Sequence, residues 1–147
     1  MKKELHLKQA KHNSDFAAHC ETTFADNYFD WKITVVFYEA LHYVKAYLEI
    51  QGVTTDTLRH TQISDIIDYD PKRNRGAKQK IPFVKRAFKS YQRLRENSEN
   101  ARYDCHFLNQ DDGLAHNKSV YNQSKQALGI LKDYLEARGL FEPTKTK

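Results

Sequence analysis

The sequence predicts an all-α fold, an antiparallel bundle of four to five helices, and three observations lead there. The stretch from Asp30 to Gln51 carries apolar side chains around almost its whole circumference, which places a helix at the centre of a bundle. Two later stretches repeat apolar residues every three to four positions, the period of a helix with one buried face. Only five Gly and three Pro occur in 147 residues, too few breakers for a turn-rich β fold.

In chain order, the first helix spans Leu5 to Phe24. Leu7, Ala10, Ala17, Cys20 and Phe24 stand at loosely helical spacing, and Asn13–Ser14–Asp15 is its weakest point. Ala25–Asp26–Asn27 are turn formers. Asp30 is the expected N-cap of the central helix, because its carboxylate can accept the orphan N–H groups of a first turn. Gly52 ends that helix, being tolerant of the left-handed conformation. Thr54 to Tyr69 reads as a short helix capped by Asp56 or Thr57, with Leu58, Ile63, Ile66 and Ile67 on its apolar side. Asp70–Pro71 and Gly76 bracket a basic loop. Pro82 then sits near the first turn of the next helix, where its missing N–H costs little. Ile81, Val84, Phe88, Tyr91 and Leu94 form that helix's stripe. Asn109 to Gly113 is a turn signal, and the last helix starts at Asn117 or Ser119. Gly139 ends it, and Pro143 to Lys147 form a frayed tail.

The length is that of one domain over residues 1–147, with its core between about residues 5 and 138 and a tail at 139–147. No apolar run reaches the roughly 20 residues of a membrane span. The opening residues lack the apolar segment of a secretion signal, so a cytoplasmic protein with no membrane association is expected. Cys20 and Cys105 have no CxxC spacing, and two free thiols are the simplest reading, with a long-range disulfide as the alternative.

Charge is segregated. Of 24 basic residues, ten lie between Lys72 and Arg95 without one acidic residue, which leaves 14 basic against 19 acidic elsewhere. Lys72, Arg73, Arg75, Lys78, Lys80, Lys85 and Arg86 begin this segment and are the candidate nucleic-acid contacts, since concentrated positive charge attracts phosphates. A solvated helix face with a basic loop is the plainer reading of the same pattern.

Glycine-rich phosphate loops, HExxH and CxxC pairs are absent, and no cofactor is expected. Seven histidines at irregular spacing fit a metal site poorly, and no metal is expected. The segment from Ser98 to His106 concentrates the most chemistry. On a helix, Arg102 and His106 share a face at i,i+4. Imidazole exchanges a proton near neutral pH, and a guanidinium grips phosphate oxygens. The pair could cleave a phosphodiester through a ribose 2′-hydroxyl without metal. The same spacing also fits Arg102 pairing with Asp104 or Glu99 while His106 packs at a helix end. His42 in the central helix reads as a core or interface histidine with a hydrogen-bond partner. His60, Tyr103 and Asp104 complete the residues that could face a cleft.

The order of residues adds a resemblance. Asp30 to Leu48, with Trp31, Thr34 and the run Phe37–Tyr38–Glu39–Ala40–Leu41–His42, resembles the second helix of HEPN domains (higher eukaryotes and prokaryotes nucleotide-binding). Tyr91, Leu94, Ser98 and Ala101–Arg102–Tyr103 resemble a later pattern of one HEPN branch, and the layout matches over residues 5 to 138. The resemblance implies a four- to five-helix bundle that forms a homodimer through its 30–51 helices. In catalytic members it implies metal-independent endoribonuclease activity at a composite dimer site, as in toxin–antitoxin or defence systems. Those members place a His after an Arg with a longer spacer than the three residues between Arg102 and His106, and a polar residue where Tyr103 stands. An RNA-binding protein, catalytic or not, is therefore one expectation. A dimerisation module docking onto a protein partner is the other.

Overall fold

The computed structural model describes residues 2–73, 79–103 and 110–143, the side chains of residues 110–112 excepted. Five helices pack together, and no strand occurs among the described residues. They are α1 (Lys3–Thr23), α2 (Phe29–Ile50), α3 (His60–Ile67), α4 (Lys85–Tyr103) and α5 (Gln110–Glu136). As expected, α2 is central: it packs on α1, α4 and α5, while α4 also packs on α5 and α3.

Each helix finds its place through its buried face. Ile33, Phe37, Ala40, Val44 and Leu48 of α2 are buried, and Phe88, Tyr91 and Leu94 of α4 meet them with Leu131 and Leu135 of α5. Helix α1 lies against α2 on small side chains, Ala10, Ala17 and Cys20, with Asn13 among them. It runs unbroken through Asn13–Ser14–Asp15 because Asn13 is held within its own helix by the Gln9 amide, 3.1 Å away. Cys20 is buried and unpaired, while Cys105 lies outside the described residues.

Four boundaries differ from the sequence reading, one being the start of α4 at Lys85, three residues past Pro82 and just past Val84, which is 50% exposed. Helix α2 starts at Phe29, and Tyr28 before it takes a left-handed conformation with φ 58°. The Asn27 side chain accepts the Tyr28 N–H at 2.8 Å and sets that turn, so Asp30 lies in the first turn instead of capping it. Helix α3 begins only at His60, because Thr55 is drawn fully into the interior ahead of it; the Arg59 N–H is then accepted by the Gln62 side chain at 2.8 Å. Helix α5 begins at Gln110, and Gly113 lies within its first turns.

The two expected glycine stops are present. Gly52 has φ 84° and Gly139 φ 91°. At each, the following residue's N–H reaches back across the helix end, Val53 to the Leu48 carbonyl at 2.9 Å and Leu140 to the Leu135 carbonyl at 3.1 Å. These pairs are buried together, which is the hydrophobic closure of a Schellman turn. Packing thus continues past Gly139: Leu140 is fully buried and Phe141 meets Tyr43 edge-on at 5.7 Å.

The central helix is less uniformly apolar inside than its composition suggests. Lys32 is fully buried, and its ammonium donates to the Phe24 and Ala25 carbonyls just past the end of α1, with the Phe29 ring 4.4 Å away. Glu39 is buried as well and accepts from the Tyr43 hydroxyl at 2.9 Å. Outward, α2 leaves Trp31 59% exposed and Tyr38 37% exposed. No described helix is long and apolar enough to cross a membrane.

Candidate functional site

Three features of the surface carry chemistry, and helix geometry builds each. The first is cationic. Burial of Ala87, Phe88, Tyr91 and Leu94 turns Lys85, Arg86, Lys89 and Arg93 of α4 outward, and all four are exposed. Arg86, Lys89 and Arg93 line a hollow of about 180 Å³ against Gln123 and Gln126 of α5, with no carboxylate in its walls. The rest of the basic segment is divided. Lys72 and Lys80 are exposed. Arg73 is held by Asp68 through two hydrogen bonds of 3.2 Å and lies over the Tyr69 ring at 4.9 Å, so its charge is already compensated. Arg95 turns inward to the Ser64 hydroxyl at 3.3 Å. Arg75 and Lys78 lie outside the described residues.

The second feature surrounds Arg102 in the last turn of α4. Its guanidinium donates to the Ser98 carbonyl at 3.3 Å and to the Tyr38 hydroxyl at 3.2 Å, and packs beside the Tyr103 ring at 5.5 Å. Asp30, Trp31, Thr34, Arg102 and Tyr103 enclose a hollow of about 200 Å³. His106 and Asp104 lie outside the described residues. Among the described residues, His60 reaches α4 near Arg102: its Nε2 is 3.6 Å from a carboxylate oxygen of Glu99, one turn before Arg102, and its ring meets Phe37 edge-on at 6.2 Å. Glu99 thus pairs with His60 and Arg102 with Tyr38, while the alternative pairing of Arg102 with Asp104 lies outside the described residues.

The third feature joins His42 to residues the sequence reading did not single out. His42 Nδ1 is 3.1 Å from His6 Nδ1, and His6 Nε2 is 2.9 Å from the Thr55 hydroxyl. Thr55 in turn donates its hydroxyl at 3.1 Å and its N–H at 3.2 Å to one oxygen of Glu49. The protons in this chain have one consistent order. A carboxylate accepts only, so the hydroxyl proton points to Glu49. The Thr55 oxygen must then accept from His6 Nε2–H. Burial, with Lys45 nearby, lowers the His6 pKa, so the ring is neutral and its Nδ1 is an acceptor. His42 therefore donates from Nδ1, and its Nε2 carries the lone pair. Burial, His6 and Lys45 together push the His42 pKa down to about 4, which keeps that ring neutral too.

His42 opens onto a groove of about 300 Å³ between α1 and α2. Gln9, Asn13 and Phe16 form one wall, and Trp31, Thr34, Val35 and Tyr38 the other. The spacing of both sets is helical, which is why one groove collects them. Signal for part of this was present: His42 and Glu49 stand two turns apart on one helix face. His6 and Thr55 come from other elements and carried none. No group of three or more His, Cys, Asp or Glu side chains able to hold a metal occurs among the described residues. Comparison with protein-family models, with curated proteins and with solved structures finds no match to this chain.

Proposed function

We propose that this chain is an RNA-binding domain of HEPN type, with unpaired RNA held on the outer face of α4. The observation that supports it most is the row Arg86, Lys89 and Arg93, exposed, at helical spacing, and without a carboxylate in the hollow it lines. Cations left uncompensated in this way release counterions when they meet phosphates, and binding energy follows from that release. The two glutamines opposite can hydrogen-bond sugar or phosphate oxygens. Arg102 is on the same helix but on another face, turned toward Trp31 and Tyr38 of α2.

The test is anisotropy of a labelled unpaired RNA against salt. Affinity should fall steeply between about 50 and about 200 mM salt, and the combined Arg86→Ala, Lys89→Ala, Arg93→Ala variant should reduce the logarithmic slope by about 2, at about 0.7 per contact on a single strand. Arg73→Ala should leave the slope unchanged, since Asp68 already compensates Arg73. Absence of binding at the lower salt, or an unchanged slope in the triple variant, would overturn the reading and leave a protein partner as the occupant of the domain's surface. Cleavage of the bound RNA in chelator, lost in both Arg102→Ala and His106→Ala, would extend binding to catalysis.

A further inference from the structure

We infer that the groove between α1 and α2 is a nucleobase subsite: it takes one unpaired base of the RNA against Phe16, Trp31 and Tyr38, with His42 Nε2 accepting a base N–H and Arg102 holding the adjoining phosphate. The inference rests on the proposed RNA binding and adds to it the place where a base is read.

Four observations lead to it. The groove is walled by aromatic side chains that the fold leaves in water, Trp31 at 59%, Phe16 at 49% and Tyr38 at 37% exposure. Flat rings presented in this way are stacking platforms for bases, which all have a π face. The groove also carries no formal charge in its lining, in a chain with 29% charged residues. That suits the uncharged base and not the phosphate.

His42 supplies a directional contact. The chain from His42 through His6 and Thr55 to Glu49 fixes which ring nitrogen carries the proton. Nε2 is left as an acceptor with no partner among the described residues. A neutral imidazole tied down at Nδ1 in this way accepts an imino or exocyclic N–H without picking up a proton itself.

The phosphate position is adjacent. The hollow around Arg102 shares Trp31 and Thr34 with the groove, so the two are neighbours across those side chains. Arg102 is also bonded to the Tyr38 hydroxyl, at 3.2 Å, and Tyr38 stands in the wall of the groove. Arg102 at one end, in a hollow that Asp30 also lines, and an aromatic cleft without formal charge at the other match the two halves of a nucleotide. Thr34 is neutral in this role, because its hydroxyl is already spent on the Asp30 carbonyl at 2.7 Å.

Trp31 is the only tryptophan of the chain, so its emission reports the groove directly. The full chain is titrated with oligouridylate and with an abasic strand of equal length, following both Trp31 emission and the anisotropy of a label on the strand. Expected is quenching by oligouridylate only, and roughly tenfold weaker binding of the abasic strand. His42→Phe, which removes the acceptor, and Phe16→Ala, at an exposed position that does not threaten the fold, should each weaken oligouridylate by several-fold and leave the abasic strand unaffected. Equal anisotropy curves for both strands without quenching would overturn the subsite while leaving RNA binding on α4 intact. No anisotropy change with either strand would overturn both. A blue shift of Trp31 that grows with protein concentration and is not reversed by oligouridylate would assign the groove to a second copy of the chain, and would likewise overturn the inference.

Discussion

Acidification is the perturbation that reads the His6–His42 pair most directly. In the unfolded chain His42 titrates near 6.5, and in the fold burial brings it to about 4. A histidine with a lowered folded value binds its proton more readily when unfolded. Its contribution is therefore intact above about pH 6.5 and is lost as pH falls toward the folded value. From those two values the loss between about pH 7 and about pH 5 is about 2 kcal/mol for this ring alone. His6, also lowered, adds in the same direction. Glu39 acts the other way, since burial raises its pKa and its protonation in the fold gains stability as pH falls. The other charged groups around the pair are Lys2, Lys45, Glu49 and Asp56. Because these contributions overlap, the informative quantity is a difference between two proteins.

The comparison protein is His42→Gln, whose amide can still donate to His6 Nδ1 but cannot titrate. Urea unfolding followed by circular dichroism, at about pH 7 and about pH 5, gives the midpoint shift for each. With a urea dependence of about 2 kcal/mol per molar, wild type should lose about 1 M more of midpoint than His42→Gln over that interval. Equal losses in both proteins would refute the reasoning. They would mean that His42 is not held neutral in the fold, and the proton order assigned from His42 to Glu49 would fall with it.

Two further substitutions test the buried charges of α2. Lys32→Met keeps the apolar stem but leaves the Phe24 and Ala25 carbonyls without their donor. It should cost about 2 kcal/mol, read as a fall of about 6 °C in Tm for a chain of this size; an unchanged Tm would show that water satisfies those carbonyls. Glu39→Gln removes a carboxyl whose raised folded pKa makes its ionisation destabilising, so stability present below 4.5 in wild type is lost as pH rises through the folded value. The variant should gain on wild type in urea midpoint between about pH 5 and about pH 8, and a gain that shrinks over that interval would contradict the burial argument.

What the sequence disclosed follows from where each element draws its stability. Helix α2 was legible because nearly every side chain from Ile33 to Leu48 meets a neighbour, so its apolar character is continuous. Helix α1 was faint because it is held by Ala10, Ala17 and Cys20. Such small side chains allow close approach to α2 without a strong apolar stripe. The start of α3 was misread because Leu58 and the cap formers Asp56 and Thr57 imitate a helix entry, whereas Thr55 is committed to Glu49 and His6. Long-range hydrogen bonds of this kind leave no periodicity. The basic segment was visible as a total, but its division was not: Arg73 is neutralised by Asp68 and Arg95 turned to Ser64, while Arg86, Lys89 and Arg93 line a hollow with no carboxylate among its described walls. Only packing separates the cations that stabilise the fold from those available to a ligand.

The same distinction bears on the aromatic residues of α2. Phe37, Tyr43 and Tyr47 are buried and contribute to the core, as their spacing suggests. Trp31 and Tyr38 belong to the same helix, yet the bundle leaves them in water although a buried aromatic side chain is worth on the order of 2 kcal/mol. A helix with so much apolar surface could have closed over them with one more large residue on α1, but Gln9 and Asn13 stand opposite. Amides there are poor choices for a sealed core and suitable ones for a groove that exchanges water for a polar, flat ligand. The exposed aromatic wall, the amides facing it and the oriented His42 are therefore better explained together, as parts of one binding groove, than as three separate defects of packing.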